Sequence, residues 1–217
     1  MPQLETIIAV AVAGFALSAT PGPSMLYVLS RSVGQSRAAG LASALGLGLG
    51  GVLLAVATAL GLAAVLTRYD WLLLALSYAG SAYLIWLGVG MIKDAREAAR
   101  MELKVSDVEA QSLPSIVGQG VLVELLNPKT LLFFALFLPP FVSHGGWGSG
   151  DISVQYQLLI LGALVPLTAL PADLLVAYLG GTMAAALNKR RVIRELLGWL
   201  SGAALIFIAI NLHAGLL

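Results

Sequence analysis

The chain lacks cysteine altogether and has only two histidines in 217 residues. The first absence excludes disulfides, a thiol nucleophile and thiolate-bound metal. The second leaves His144, in an outer loop, and His213, near the C-terminus, too isolated to make a metal site. Charge is scarce as well: 11% of residues are Asp, Glu, Lys or Arg, against ~25% in soluble domains. Set beside 59% hydrophobic residues and a mean hydropathy of +0.93, that deficit places the chain in a bilayer. No Lys or Arg precedes Arg31. The basic region of a cleavable signal peptide is therefore missing, and the first apolar segment is expected to stay in the mature protein. There is no P-loop, no H-E-x-x-H and no G-x-S-x-G, which argues against ATP hydrolysis and against hydrolase chemistry of those types. An enzyme is not expected, and neither is a cofactor, a metal or a nucleic-acid partner.

What is present is a series of apolar segments, each near the ~20 residues that a spanning helix needs. They run roughly over 5–30, 38–66, 71–92, 117–142, 154–181 and 196–216. The expected fold class is all-α: a polytopic membrane protein with six transmembrane helices. The stretch from Lys93 to Ala110 differs in kind, with charges of both signs and Lys93 and Glu97 at helical i,i+4 spacing. It reads as a solvated extension of the third helix followed by a loop. Arg31 and Arg37, then Lys93, Arg96, Arg100 and Lys104, then Lys189, Arg190, Arg191 and Arg194 fall in alternate loops. Of the chain's 12 basic residues only Arg68 and Lys129 lie elsewhere. By the positive-inside bias, those loops are cytoplasmic and both termini lie outside the cytoplasmic (inner) membrane. Tyr69, Trp71, Trp147 and Tyr156 then fall near outer ends, and Trp86, Tyr178 and Trp199 near inner ends, as interfacial aromatics do.

Two of the apolar segments are interrupted. One contains Ala19-Thr20-Pro21-Gly22-Pro23, the other Leu126-Asn127-Pro128-Lys129. Non-helical backbone at membrane depth is tolerated only where protein buries it or a cavity lies beside it. Each break lies in the first span of a three-span half, and three is odd, so the halves would be oppositely oriented. This is the pattern of a 3+3 inverted repeat with a proline-broken first helix in each half. The expected organisation is a first repeat over 1–92, a charged cytoplasmic loop over 93–116 and a second repeat over 117–217.

Only Glu124, Lys129 and Asp173 are ionisable residues lying well inside spans. Such a residue costs about 2.5–3.5 kcal/mol at mid-bilayer on insertion scales, and by default it marks a functional site. At ~1.5 Å per residue, Pro21 lies about 15 Å from the cytoplasmic ends, Glu124 about 10 Å, Lys129 about 18 Å and Asp173 about 12 Å. Lys129 follows a break, so its ammonium would stand beside the positive end of a half-helix and call for an anion. A substrate carboxylate would serve; so would Asp173, or a static pairing with Glu124. Asp173 offers a carboxylate for a substrate ammonium or for a coupling proton. Alternatively it is locked to Lys129, or caps the helix portion after Pro171. Glu124 competes for the proton-coupling role, or is a hydrated entrance residue. At the first break Thr20 and Ser24 supply hydroxyls, and the half-helix starting near Ser24 presents N–H groups to an anion; a plain kink is the alternative. The candidate substrate-binding set is Thr20, Pro21, Gly22, Pro23, Ser24, Asn127, Pro128, Lys129 and Asp173, with Asp173 and Glu124 for proton coupling.

Gly46, Gly48 and Gly51 match G-x-G-x-x-G, but inside an apolar helix without a preceding strand the match is spurious. Gly46 with Gly50, and Gly198 with Gly202, instead fit small-xxx-small helix packing, which leaves a homodimer contact open.

The motifs together resemble a known family. Ala19-Thr20-Pro21-Gly22-Pro23, Ser30-Arg31-Ser32, Gly40 and the run from Gly46 to Gly50 look like the first two spans of the LysE/RhtB family of amino-acid exporters. Tyr83 to Gly88 resembles its third span, and Asn127-Pro128-Lys129 with Phe133, Phe134, Phe137, Leu138, Pro139 and Phe141 its fourth. Pro140 departs from the family's usual Gln. The resemblance implies a cytoplasmic-membrane carrier that exports amino acids or close derivatives, driven by the proton gradient. It carries over to Pro21, Gly22, Pro23, Asn127, Pro128 and Lys129. The function expected is a secondary transporter working by alternating access, with amino acids, protons and the lipid bilayer as partners. An ion or metal carrier on the same fold is the alternative, with a membrane-embedded enzyme behind it.

Overall fold

The structure, a computed structural model, describes residues 4–19, 22–66, 70–100, 109–142, 151–189 and 191–214. Thr20 and Pro21 of the first break, with Arg68, Tyr69, Lys104, His144, Trp147 and Arg190, lie outside the described residues. The described elements are helical: α1 (Leu4–Ala19), α2 (Pro23–Gly34), α3 (Arg37–Leu66), α4 (Asp70–Arg100), α5 (Leu113–Leu125), α6 (Pro128–Leu132), α7 (Asp151–Lys189) and α8 (Arg191–Ala214). A π-helical turn (Phe133–Phe137) and a 3₁₀ turn (Pro139–Phe141) continue α6.

Both interrupted segments break as the prolines dictate. Pro23 and Pro128 each open a new helix at its first position, where a missing N–H costs nothing. Gly22 stands extended before α2, at φ −153° and ψ −176°. Asn127 stands extended before α6, and its Oδ1 accepts from the Lys129 N–H at 3.1 Å. α1 and α2 are bent by 53° across the first break, and α5 and the segment from Pro128 to Phe141 by 49° across the second. Arg37–Gly61 of α3 and Val154–Gly180 of α7 are long and apolar enough to cross a membrane, and each bent pair adds one further candidate. α4 and α8 occupy the remaining two predicted segments, α8 with a shorter apolar run over Gly198–Asn211. Unlike the two broken segments, α7 continues through Pro166 and Pro171.

Small residues set the packing. A Cβ on Gly88 of α4 would stand 2.6 Å from the Gly202 carbonyl of α8, and one on Gly202 would stand 2.5 Å from the Gly88 carbonyl. Gly46 meets Gly120 and the Val117 carbonyl of α5 in the same manner, and Gly50 meets Glu124 and Val121. Lipid is as apolar as leucine, so close backbone approach and van der Waals contact, not burial from water, hold these pairs. The small-xxx-small pairs are thus used for packing within one chain.

Two apolar clusters result. The larger gathers Val10, Ala13 and Leu17 of α1, Leu84 of α4, Phe133, Phe134 and Phe137 of the π-helical turn, Leu158 and Leu161 of α7, and Leu205 of α8. Its rings pack at a tilt along the chain, Phe133 against Phe137 at 4.3 Å and Phe137 against Phe141 at 4.7 Å between centroids. The smaller joins Val28 and Leu29 of α2, Ala44 and Leu47 of α3, and Val176 and Ala177 of α7. The outer surface stays apolar, with Phe15, Leu45, Leu49, Leu60, Phe207 and Ile210 exposed. Trp71, Tyr156, Trp86, Tyr178 and Trp199 are exposed too, as residues that anchor at an interface are.

Candidate functional site

Between the two apolar clusters the breaks face a shared cavity of about 50 Å³, room for a few water molecules at ~10–15 Å³ each. α1 and α2 supply Leu17, Ser18, Gly22, Ser24 and Met25; α3 supplies Leu47, Gly48 and Gly51. The second break supplies Glu124, Asn127, Lys129, Thr130 and Phe134, and α7 supplies Pro166, Ala169 and Asp173. The three ionisable residues picked from the sequence therefore line one space.

The two breaks are tied to each other by hydrogen bonds. Ser24, in the first turn of α2, donates from Oγ to Glu124 Oε2 at 2.6 Å. The same oxygen accepts from Asn127 Nδ2 at 2.9 Å. One hydroxyl thus bridges a carboxylate at the end of α5 and the amide that caps α6. Glu124 also lies within hydrogen-bonding reach of Thr130 and in electrostatic range of Lys129. It is a bound member of the junction between the breaks.

Lys129 reaches the other way. Its Nζ donates to the Leu17 carbonyl at 2.5 Å. Leu17 lies in the last turn of α1, where carbonyls have no N–H four residues on and the helix dipole is negative. The carbonyl end of the first half-helix thus receives this ammonium, with the Glu124 carboxylate also in electrostatic range. The Lys129 carbonyl accepts from Tyr83 Oη of α4 at 3.0 Å, where the ladder passes from α to π.

Asp173 stands apart from this network. Among the described residues it makes no ion pair, so it is not locked to Lys129. It does not cap a helix portion after Pro171 either, because α7 is continuous there and has no free N-terminus to cap. Its carboxylate faces the cavity in electrostatic range of Glu124.

Of the remaining predicted residues, Gly22, Ser24 and Asn127 line the cavity, while Pro23 and Pro128 act through the backbone and are themselves exposed. Ser18, Gly48, Gly51, Thr130, Phe134 and Pro166 line it without having been singled out as site residues. Gly51 and Pro166 share one contact, a Cβ on Gly51 standing 2.8 Å from Pro166 Cβ. Nothing in the sequence paired them.

The family model described as "LysE type translocator" matches residues 15–215. An uncharacterised membrane protein of Pseudomonas aeruginosa is 32% identical over 189 residues, 87% of this chain and 84% of its own. A threonine efflux protein of Escherichia coli strain K12 is 24% identical over 217 residues, 97% of this chain and 98% of its own. A homoserine/homoserine lactone efflux protein of Salmonella typhimurium is 31% identical over 126 residues, 58% of this chain and 59% of its own. No solved structure matches. An all-helical, multi-pass membrane protein with two bent helix pairs, matched by that family model over nearly its whole length, is a transporter and not an enzyme: the chain belongs to the LysE type translocator family.

Proposed function

We propose that this protein is a proton-coupled secondary transporter that exports small amino acids or close derivatives from the cytoplasm by alternating access. The observation that carries this reading is the one cavity shared by Glu124, Lys129 and Asp173 at the junction of the two breaks. Asp173, facing the cavity without an ion-pair partner among the described residues, receives the substrate's ammonium group. Lys129, with Gly22 and Asn127 around it, is the element for the carboxylate. A proton on Asp173 or Glu124 returns the empty site, because the three groups with Lys129 charged sum to one negative charge. The efflux relatives point to small hydroxylated amino acids such as threonine and homoserine as the first substrates to test.

The frame of this reading is a six-span 3+3 inverted repeat, with 93–116 as a cytoplasmic loop and both termini outside. Support comes from the matched pairing of α3 with α7 and α4 with α8, the second and third spans of the two halves. The Lys and Arg bias of the loops supports the orientation. Among the described residues no three His, Cys, Asp or Glu side chains gather to hold a metal. The deciding experiment loads proteoliposomes with single radiolabelled amino acids and imposes a proton gradient. Gradient-dependent efflux of threonine or homoserine is expected. Efflux of none of the amino acids tested, with the protein folded and inserted, overturns the reading.

A further inference from the structure

A second polar layer lies beyond the cavity, on the side of α2 away from the break. Arg31, only 8% exposed, is its centre. Its guanidinium donates to Gln119 Oε1 at 2.8 Å, to the Glu109 carbonyl at 3.0 Å and to Gln35 Oε1 at 3.4 Å. Tyr27 Oη donates to the Ile116 carbonyl at 2.9 Å, and the Tyr27 ring lies 5.8 Å from the guanidinium carbon. Gln35 closes the layer: its Nε2 donates to the Gln111 carbonyl at 2.7 Å, and its Oε1 accepts from the Gln111 N–H at 3.1 Å. These bonds fasten the last turns of α2 to the segment that leads into α5.

The chemistry of this layer differs from that of a structural ion pair. Among the described residues, Arg31 has only neutral acceptors and no carboxylate. Water replaces neutral acceptors readily, so such a layer orders the closed arrangement yet separates once hydrated. On the α2 side, Val28 and Leu29 share the smaller apolar cluster with Leu47, which also lines the cavity. Elsewhere the cavity is lined by Leu17, Phe134 and Val165 of the large apolar cluster that also holds Phe133, Phe137 and Leu84. α2 is also short, 12 residues, with non-helical backbone at Gly22 and again at Gln35 and Ser36. It has a place to hinge at each end.

We propose that α2 is the cytoplasmic gate of the cavity, and that the Arg31–Gln119 layer is the latch that holds it shut. The assignment rests on the orientation given under the proposed function. It does not depend on the substrate.

The absence of native cysteine gives a clean reporter. Ala169 lines the cavity, so Ala169→Cys is the single thiol of the chain. A membrane-impermeant maleimide is added to inside-out and to right-side-out vesicles containing the full-length protein. Adding Arg31→Ala is expected to raise labelling from the cytoplasmic side about tenfold or more, because it removes all three hydrogen bonds of the guanidinium and one such bond alone carries about that weight. Gln119→Ala, which removes a single acceptor, reports on the same layer if Arg31→Ala accumulates poorly. Unchanged labelling in both variants, or a rise only from the outer side, overturns the gate. As a second arm, a Gln35→Cys/Gln111→Cys pair joined by a short bifunctional thiol reagent is expected to stop export of whichever amino acid the unmodified protein carries. Full export after crosslinking overturns the latch. Failure of the export assay with increased cytoplasmic labelling would reject the substrate reading and leave the gate standing.

Discussion

Lys129 Nζ lies 2.5 Å from the carbonyl oxygen of Leu17. The contact joins the cation that follows the second break to the last turn of the helix that precedes the first. Each break leaves backbone groups that a continuous helix would pair internally, and each break supplies part of what the other lacks. Ser24 makes the complementary link, from the start of α2 to Glu124 at the end of α5. The two interruptions therefore behave as one junction, and the cavity sits where they meet.

Lys129→Met removes the ammonium and keeps most of the side chain's length. The Leu17 carbonyl then loses a charge-assisted donor, at a cost of about 1–3 kcal/mol in stability. Carboxylate recognition should be lost with it. Thermal unfolding in detergent should show the first effect, and a raised KM for export the second. Unchanged export with lowered stability would make Lys129 a purely structural tie between the breaks.

Asp173→Asn keeps the size of the side chain and removes its charge and its ability to release a proton. The variant should insert normally, because Asp173 makes no ion pair among the described residues. Export driven by a proton gradient in proteoliposomes should fall to background. A wild-type dependence on the gradient would assign proton coupling to Glu124 instead.

Ser24→Ala deletes the hydroxyl that serves Glu124 and Asn127 together. A loss of about 1–2 kcal/mol is expected, since a buried amide and a carboxylate each lose a partner. Ser24→Thr retains the hydroxyl and should restore part of the export rate. Equal export rates for Ser24→Ala and the parent protein would show that the link between the breaks is dispensable.

Gly88→Val should separate α4 from α8, because even a Cβ there would stand 2.6 Å from the Gly202 carbonyl. Overpacking of this kind costs about 1–3 kcal/mol or more. Gly61→Ala is the control: a Cβ there meets nothing within 4 Å, and the helix should gain about 0.5–1 kcal/mol from the lost glycine flexibility. Melting temperatures of the two variants should move in opposite directions.

The helical class and the breaks were legible in the sequence because they follow from local rules. A shortage of charge and runs of apolar residues demand helices in lipid. Pro23 and Pro128 cannot donate to the preceding turn, so a new helix starts at each. The same rule could not tell Pro128 from Pro166. Both are prolines in apolar segments; the helix breaks at Pro128, which follows the extended, capping Asn127, and continues through Pro166, where Gly51 of α3 packs against the ring. In the run from Gly46 to Gly51, the sequence marks Gly46 and Gly50 as packing residues. Gly46 and Gly50 do pack on α5, while Gly48 and Gly51 also border the cavity. Helical periodicity puts these residues on adjoining faces, and only the neighbouring helices decide which face borders the cavity.

The sequence by itself determined which residues carry charge inside the apolar segments and where the backbone must stop being regular. Both are properties of short stretches of chain. The tertiary structure alone decided what those charges meet. Glu124 finds Ser24 across 100 positions, and Lys129 finds Leu17 across 112. Those partners meet through tertiary packing, in which close glycine contacts bring α3 onto α5 and α4 onto α8. No local pattern encodes the direction in which a lysine turns once it has a choice between the helix end beside it and the one opposite.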